Sequence, residues 1–291
     1  MPRVSVVVPA KNEAANLREV LPRLPAVHEV ILVDGNSVDD TITTAREVMP
    51  GIKVVRQTRK GKGNALACGF LAATGDIIVM FDADGSADPE EIPAFVQALA
   101  DGADFAKGSR FAVGGGSEDI TPLRSLGNHG LNFVANRAFH TKFTDLCYGY
   151  NAFWRDLVHV LDLPDIDIKT PANSMLWGDG FEIETVINCR MAAAEVTITE
   201  VPSVELSRIH GISNLRTFSD GTRVLRTIAA EHRRVRQGGH RTFGALEQAR
   251  SRPAPRTDLF EAQASSAIVG EGEIELALLD LDAILLQAAK N

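Results

Sequence analysis

The sequence predicts an α/β protein with a mostly parallel, twisted sheet flanked by helices. Four apolar stretches rich in β-branched residues precede residue 82, and a segment with helical periodicity follows each of them. Near-continuous apolar strands are typical of parallel sheets, whose two faces are both buried. Repeated βα units imply right-handed crossovers and a doubly wound sheet. Because ligands bind such sheets at the carboxyl ends of the strands, functional residues are expected there.

The first hundred residues contain the most regular elements. The predicted helix Asp88–Ala100 has a clear start, because Asp88 is a good cap, Pro89 suits the first helical position and two acids follow. In chain order, the predicted strands are Val4–Val8, Glu29–Asp34, Ile52–Val55 and Asp76–Phe81, and the predicted helices are Asn12–Leu24, Asp39–Met49, Gly63–Ala73 and Asp88–Ala100.

The pattern loosens after Asp104–Arg110. The glycine-rich segment Gly114–Ser117 is predicted to be a mobile loop, and a helix is predicted around Leu123–Phe139. Further sheet and helix elements, closed by an amphipathic helix, are expected at Thr144–Trp154, Gly180–Arg190, Val196–Ser207 and Thr217–Arg236.

The composition excludes several classes of protein. The chain has 291 residues, 45% hydrophobic and 23% charged, which suits one substantial core with appendages and excludes a disordered, collagenous or coiled-coil chain. A net charge of −8 argues against a nucleic-acid binder. Three widely separated cysteines without a CxxC pair predict reduced, mostly buried thiols in the cytosol. No membrane-spanning helix is predicted, because segment 4–10 is too short and segment 274–289 carries three acids.

Polar residues follow the first two predicted strands. Segment Pro9–Glu13 lacks the glycine fingerprint of a dinucleotide site, so NAD binding is not expected. Asp34 ends the second strand, where its carboxylate can accept hydrogen bonds from a base or from ribose hydroxyls. Segment Asp34–Thr41 is equally well explained as a turn and a helix cap, since Asp, Asn and Gly are common turn residues.

A basic, glycine-containing turn precedes the third predicted helix. Its glycines would let the backbone approach a ligand, the helix N-terminus favours anions, and Lys60 and Lys62 add positive charge. The spacing is not that of a P-loop. A solvated basic turn is the alternative.

Asp82 and Asp84 follow the fourth predicted strand. Residues two apart on a strand face the same side, and two like charges so close repel unless a cation neutralises them or one stays protonated. Mg²⁺ or Mn²⁺, bound by few carboxylates together with phosphate oxygens, fits this requirement, whereas a polar turn before Asp88 is the alternative. The acid after strand two, the basic turn and the acid pair share one sheet edge, which predicts a nucleotide-diphosphate site.

Six motifs follow one another over residues 1–230. They are Val8–Glu13, Val33–Thr41, Asp82–Asp84, Gly108–Phe111, Thr144–Leu146 with Gly149, and Arg208–Asn214. In these motifs the chain resembles family 2 glycosyltransferases of GT-A fold, and within them the polyprenol-phosphate hexose synthases (dolichol-phosphate mannose synthase-like). The resemblance implies a metal-dependent, inverting enzyme that moves a hexose from GDP-mannose or UDP-glucose to a dolichyl or undecaprenyl phosphate.

The resemblance also implies roles for individual residues. Asp82 and Asp84 would hold Mg²⁺ or Mn²⁺ against the diphosphate. The acceptor and leaving phosphates would be bound by planar guanidinium groups, with a serine beside them, at Arg110, Arg124, Arg208 and Ser213. Nucleotide-sugar contacts are expected from Pro9, Ala10, Asn12, Glu13, Asp34, Asn36, Ser37, Lys60, Gly61, Lys62, Asp82 and Ala83.

Four positions depart from the family pattern. Asn151 stands where an arginine is usual, Ser86 where a glutamine-type neighbour of the acid pair is usual, and Asn214 where a lysine is common. Ala10 replaces an aromatic residue that often stacks on the base, so the identity of the base is not predicted.

The acceptor class decides which catalytic groups are needed. A phosphate monoester has a second pKa near ~6, is largely dianionic at neutral pH and needs no strong general base. A soluble or polymer hydroxyl acceptor would need a carboxylate base, for which Asp145 and Glu182 are candidates unless they are a structural loop aspartate and a helix-face glutamate. A non-catalytic protein that binds a nucleotide sugar is a further alternative.

The predicted domains are a GT-A catalytic domain at 1–236, a basic linker at 237–257 and a tail with a short amphipathic helix at 258–291. Seven arginines and a single acid lie in segment His232–Arg256, which predicts peripheral attachment to an anionic membrane surface. A basic linker without a partner is the alternative. The predicted location is cytoplasmic, at the inner face of the cell membrane, with a nucleotide sugar and a polyprenyl phosphate as partners and no nucleic acid.

Overall fold

A seven-stranded sheet forms the centre of the fold. The computed structural model describes residues 2–118, 120–171, 174–211 and 217–238. The predicted short amphipathic helix in the tail therefore lies outside the described residues, as do Ser213 and Asn214.

The first half of the sheet is the repeated βα pattern that the sequence predicts. Strands β1 to β4 are parallel, and their order β3-β2-β1-β4 places the ends of β1, β2 and β3 side by side, with Ala10 opposite Asp34 and Asp34 opposite Arg56. The strands are β1 Val4–Ala10, β2 Glu29–Asp34, β3 Lys53–Arg56 and β4 Ile77–Met80, and the helices are α1 Ala14–Val20, α2 Thr41–Val48 and α3 Lys62–Ala72.

The second half of the sheet contains one strand that is antiparallel to its neighbours. Strand β5 (Phe105–Ser109) is parallel to β8 (Ile198–Pro202), but β7 (Asn151–Trp154) is inserted between β4 and β5 and is antiparallel to both. Asn151, the first residue of β7, pairs with Met80, the last residue of β4. The chain therefore enters β7 at the carboxyl edge of the sheet, and β7 is antiparallel to β4. The complete strand order is β3-β2-β1-β4-β7-β5-β8, and the sheet is mostly parallel, as predicted.

A second, two-stranded sheet corrects the prediction of a mobile loop at Gly114–Ser117. Strand β6 (Gly116–Ser117) is parallel to β9 (Val204–Glu205), and the side chain of Ser117 donates to Glu205 at 2.5 Å. The glycine run is therefore held at its end by hydrogen bonds with a segment far along the chain.

Helices cover both faces of the large sheet. One apolar layer contains Leu17 and Val20 of α1 with Phe95 of α4, and the other contains Leu66 of α3 and Ile187 of α6. The Asp88 side chain accepts from the Glu90 N–H at 3.2 Å and so caps the 3₁₀ turn before α4, as predicted. The remaining helices are α4 Ile92–Ala100, α5 Pro122–Phe139, α6 Ile183–Ala193 and α7 Thr217–Arg236, and short 3₁₀ helices lie at Leu21–Arg23, Pro89–Glu91 and Arg155–Leu161.

Within the described ranges, no helix combines the length and the apolar character that crossing a bilayer requires. Cys68 and Cys189 are buried and Cys147 is half-buried, and all three thiols are free of disulfide bonds.

Candidate active site

The loops after β1 and β2 meet at the carboxyl edge of the sheet and are fastened to each other. The Asn12 N–H donates to Ser37 Oγ at 2.9 Å, and the Val38 N–H donates back to Asn12 Oδ1 at 2.9 Å. Asn12 and Asn36 both adopt the left-handed conformation with φ of 58°, which asparagine tolerates better than most residues. Asn12 and Ser37 therefore hold these two loops together.

A cleft of about 340 Å³ opens beside the ends of β2 and β3. Asp34 lies next to it and is buried, with its Oδ1 accepting from the Ser37 N–H at 3.2 Å. The cleft is lined in part by residues that the sequence predicts as nucleotide-sugar contacts, and in part by residues such as Gln57 that sequence reasoning did not identify. The lining residues are Lys11, Gly35, Asn36, Gln57, Thr58, Arg59, Lys60, Thr170, Pro171 and Ser174.

The backbone of the basic glycine turn packs against the protein itself at the start of α3. The N–H groups of Gly63 and Asn64 donate to the Asp179 carbonyl oxygen at 2.7 and 3.2 Å. A Cβ on Gly61, at φ +120°, would lie 2.0 Å from that oxygen. The glycines are thus required by a close backbone approach, but the approaching backbone is segment 178–179.

Gly63→Ala is expected to lower the free energy of unfolding by about 3 kcal/mol, because overpacking of a rigid contact costs this much. The new Cβ would lie 1.8 Å from the Gly178 carbonyl oxygen, a backbone atom that cannot turn away. Urea denaturation followed by circular dichroism measures the change. The matched control is Gly51→Ala, whose Cβ meets nothing within 4 Å. A Gly63 variant as stable as this control would contradict the close contact.

A buried ion pair holds the segment that covers the glycine turn. Arg59 Nε and Nη2 donate to the two carboxylate oxygens of Asp179 at 2.7 and 2.9 Å, and Nη1 donates to the Asp165 carbonyl oxygen at 2.7 Å. Both side chains are almost inaccessible, at 2% and 1%. Sequence reasoning did not identify this pair, because its partners are 120 residues apart.

Asp82, the first acid of the predicted pair, is in contact with an ammonium group. Lys62 Nζ lies 2.7 Å from Asp82 Oδ1 and 2.9 Å from Oδ2, and it also lies 2.6 Å from Glu184 Oε1. Burial and the charges of Asp84 and Glu184 raise the pKa of Asp82, and Lys62 opposes that shift. Although burial alone would lower the pKa of Lys62, the carboxylates of Asp82 and Glu184 raise it well above its ordinary value.

Asp84, the second acid, has an equivalent arrangement with a guanidinium group. Arg208 Nη2 donates to Asp84 Oδ2 at 2.8 Å, and Nη1 donates to Glu13 Oε1 at 3.2 Å. The other oxygen, Asp84 Oδ1, accepts from the N–H and the hydroxyl of Ser86 at 3.0 and 2.6 Å. The serine that departs from the family pattern is thus a direct partner of the acid pair.

These contacts form one cluster, which we call the acid-pair cluster: Asp82, Asp84, Glu13 and Glu184 with Lys62 and Arg208. With all six groups ionised its formal charge is −2, which one divalent cation would neutralise. Among the described residues, no group of three or more His, Cys, Asp or Glu side chains is arranged to hold a metal by itself. Mg²⁺ is usually bound by one or two carboxylates and completed by substrate phosphates, so the donor chemistry of Asp82 and Asp84 fits such an ion.

Arg110 and Asp145 lie together beside β5, in a different arrangement from the one expected. Arg110 Nε and Nη2 donate to the two oxygens of Asp145 at 2.7 and 2.9 Å, and Nη1 donates to Glu205 at 2.9 Å. Burial alone would raise the pKa of Asp145, but the hydrogen bonds and charge of Arg110 hold it below its usual value. Every guanidinium nitrogen of Arg110 has a carboxylate partner, and Asp145 is fully buried.

Helix α5 supports the loop that carries Asp145. The amide of Asn132 accepts from the Leu146 N–H at 2.7 Å and donates to the Thr144 carbonyl oxygen, so it binds both neighbours of Asp145. Asn188 of α6 donates to the Leu146 carbonyl oxygen at 2.8 Å. The sequence shows an asparagine within each of these two helices, but it does not show that these side chains are buried or which backbone groups they bind.

The remaining candidates are placed as follows. Glu182 Oε1 accepts from the N–H groups of Gly178 and Gly180 at 3.0 and 3.1 Å, so this carboxylate fastens the turn before α6. Glu184, two residues on, faces the acid pair. Arg124 is half-buried in the first turn of α5. Asn151 is fully buried in β7, and neither atom of its amide group has a partner among the described residues.

Gly149 gives room to Glu184. A Cβ at Gly149 would lie 2.5 Å from Glu184 Oε1 and 3.5 Å from Lys62 Nζ. The glycine of this motif thus leaves space in which the carboxylate and the ammonium meet in this structure.

A mostly parallel sheet with the acid pair after β4 and a cleft beside β2 is the architecture of the GT-A class of glycosyltransferases. Residues 5–161 match the family described as Glycosyl transferase family 2. The chain belongs to this family, and the predicted family and fold are confirmed.

Relatives with named activities come from several organisms. A dolichol-phosphate mannosyltransferase of Pyrococcus furiosus is 34% identical over 178 residues, which cover 57% of this chain and 50% of that protein. An undecaprenyl-phosphate mannosyltransferase of Micrococcus luteus is 31% identical over 223 residues, which cover 73% of this chain and 87% of that protein. The chain thus spans about half the length of several relatives that it matches.

A solved structure shows the same fold at low sequence identity. Glucosyl-3-phosphoglycerate synthase from Mycobacterium tuberculosis, in complex with Mn²⁺, uridine diphosphate and glucosyl-3-phosphoglycerate, gives a TM-score of 0.58 at 22% identity. The similarity covers 79% of this chain and 80% of that one.

Proposed function

We propose that this chain transfers a hexose from a nucleotide sugar, GDP-mannose or UDP-glucose, to a polyprenyl phosphate, with inversion at the anomeric carbon and with Mg²⁺ or Mn²⁺. The observation that carries the proposal is the acid-pair cluster, which collects excess negative charge and two cations at the carboxyl edge of the sheet. The reaction is proposed for the cytoplasmic face of a membrane.

The donor half of the reaction is supported by the site itself. Asp82 and Asp84 offer hard oxygen ligands for a divalent ion, which would act as a Lewis acid on the departing diphosphate. Lys62 and Arg208 add positive charge where that diphosphate would lie. The cleft beside Asp34 is next to this cluster along the sheet edge and is proposed to hold the nucleoside. A structural neighbour crystallised with Mn²⁺ and uridine diphosphate agrees with this arrangement.

The acceptor half of the reaction is supported by the named relatives and by the hydrogen bonds that engage the two candidate bases, Asp145 and Glu182. The named relatives act, by their names, on dolichyl and undecaprenyl phosphates. Asp145 is committed to Arg110, and Glu182 to two backbone N–H groups. A dianionic phosphate needs no such base, because it is already a nucleophile at neutral pH. Catalysis would then consist of positioning and of electrostatic stabilisation of the leaving group.

The arginine-rich segment His232–Arg256 is proposed to add attachment to an anionic membrane surface, each arginine contributing about 1 kcal/mol. Residues 239–256 of this segment lie outside the described residues.

Incubation with radiolabelled UDP-glucose or GDP-mannose, Mg²⁺ and a short polyprenyl phosphate is expected to move label into an organic extract. A reaction without the polyprenyl phosphate is the control. Label that appears only on a soluble acceptor such as phosphoglycerate would favour the hydroxyl-acceptor alternative. No transfer to any acceptor, together with retained donor binding, would favour a non-catalytic protein.

Glu182→Gln separates the two acceptor classes in the same assay. A glutamine keeps the Oε1 acceptor for Gly178 and Gly180 but cannot serve as a base. Turnover within about twofold of the original enzyme is expected for a phosphate acceptor. A drop of about 100-fold or more would show that a carboxylate base acts here and would contradict the proposal.

A further inference from the structure

The two cations of the acid-pair cluster share one geometry. Lys62 bridges Asp82 and Glu184, at 2.7 and 2.6 Å. Arg208 bridges Asp84 and Glu13, at 2.8 and 3.2 Å. Each cation therefore joins one member of the acid pair to one carboxylate outside the pair.

The acid pair has no carboxylate oxygen without a partner. Lys62 Nζ lies within 2.9 Å of both oxygens of Asp82. Arg208 occupies Asp84 Oδ2, and Ser86 occupies Asp84 Oδ1. A divalent ion that binds these carboxylates therefore competes with Lys62 and Arg208 for the same oxygens and is repelled by their positive charges.

We propose that Lys62 and Arg208 are internal counter-ions of the acid pair that change partners when the metal and the donor bind. This inference rests on the proposed function. A divalent ion replaces two single positive charges on Asp82 and Asp84, so the charge on the pair is conserved. The two released cations become available to the diphosphate that arrives with the ion.

Glu184 and Glu13 are the positioning residues of this exchange. Glu184 stays in contact with Lys62, and Glu13 with Arg208, after the two cations have left Asp82 and Asp84. The ammonium and the guanidinium therefore stay at the site. Gly149 leaves the room that Glu184 requires for this contact. Without these two carboxylates the cations would either remain on the acid pair or move into solvent.

The exchange predicts opposite effects of one substitution on two binding constants. Lys62→Met removes the cation that competes for Asp82, so Mn²⁺ alone should bind at least tenfold more tightly, given the strength of a contact charge pair at this depth. The same variant lacks the cation that would move to the phosphates, so uridine or guanosine diphosphate in saturating Mn²⁺ should bind at least tenfold more weakly. A merely structural lysine would not change the two constants in opposite directions.

The test measures free Mn²⁺ by electron paramagnetic resonance and nucleotide binding by isothermal titration calorimetry on the full chain. Lys142→Met is the matched control, because it removes one charge from an exposed lysine outside the cluster, and both constants should stay within twofold. Arg208→Met repeats the test at Asp84 if the Lys62 variant fails to fold. Circular dichroism checks folding of each variant.

The outcomes separate this inference from the proposed function. If the unmodified protein binds no Mn²⁺ even with nucleotide present, the metal-dependent function fails. If it binds Mn²⁺ but neither Lys62→Met nor Arg208→Met tightens that binding, only the exchange is overturned. Tighter Mn²⁺ binding together with weaker nucleotide binding supports it.

Discussion

Asp84→Asn is expected to lower the proposed hexose transfer about 1,000-fold or more, because it removes a proposed metal ligand and with it the stabilisation of the departing diphosphate. Asparagine has nearly the same shape, so its Oδ1 can still accept from the N–H and the hydroxyl of Ser86. What disappears is the negative charge that faces Arg208 and the proposed ion. Initial rates over a series of Mg²⁺ concentrations measure the loss, and excess EDTA should abolish transfer by the unmodified enzyme.

The control for this prediction is Asp88→Asn, four residues further on. Asparagine caps a helix start as well as aspartate does, and the ion pair with Arg23 that is lost lies partly in solvent. Turnover of this control should stay within about twofold of the original rate. Full transfer by Asp84→Asn, or turnover that EDTA leaves untouched, would contradict a metal site at the acid pair.

The parallel half of the fold is predictable because its signals are local. Each of β1 to β4 is a short apolar stretch followed by a segment with helical periodicity, and Asp88 and Pro89 mark the start of the last of these helices. The direction of β7 is not a local property. The apolar pattern of Asn151–Trp154 is the same whichever way the strand runs, and only the entry of the chain at the end of β4 makes it antiparallel.

In the site, too, features set by neighbouring residues could be predicted from the sequence, whereas contacts between residues far apart in the chain could not. The spacing of Asp82 and Asp84 identifies the acid pair, because two carboxylates one residue apart carry their own electrostatic signal. The cations and acids that surround the pair come from elsewhere, with Glu184 lying 122 residues from Lys62 and Arg208 lying 124 from Asp84. Sequence reasoning chose Glu182 as the candidate base, but in the structure Glu184 is the residue that faces the acid pair.

The surroundings of Arg110 could not be predicted from its motif. The family resemblance implies that Arg110 binds a phosphate. In the structure, Asp145 and Glu205 supply a carboxylate to each of its donor nitrogens, Asp145 from a loop 35 residues away and Glu205 from strand β9, 95 residues away. Arg110 therefore joins the large sheet to the small β6–β9 sheet.

Asp179→Ala is expected to lower the free energy of unfolding by about 3–5 kcal/mol, since removing one partner of a buried ion pair leaves the other charge uncompensated. The Arg59 guanidinium would remain buried beneath segment 164–180, with backbone carbonyl oxygens as its remaining partners. The Leu176 N–H would also lose its bond to the Asp179 carboxylate. For a domain of this size, a drop in melting temperature of about 10 °C is expected, measured by calorimetry.

Asp76→Ala is the contrasting variant, because it removes a carboxylate from the exposed ion pair with Arg3, whose side chains are 52% and 40% accessible. Exposed pairs of this kind contribute about 1 kcal/mol or less, so the melting temperature should fall by only a few degrees. The Asp179 variant should also bind nucleotide more weakly, since segment 164–180 supplies Thr170, Pro171 and Ser174 to the cleft. Equal stability losses in the two variants would show that the Arg59–Asp179 pair is not the fastening that holds this segment over the glycine turn.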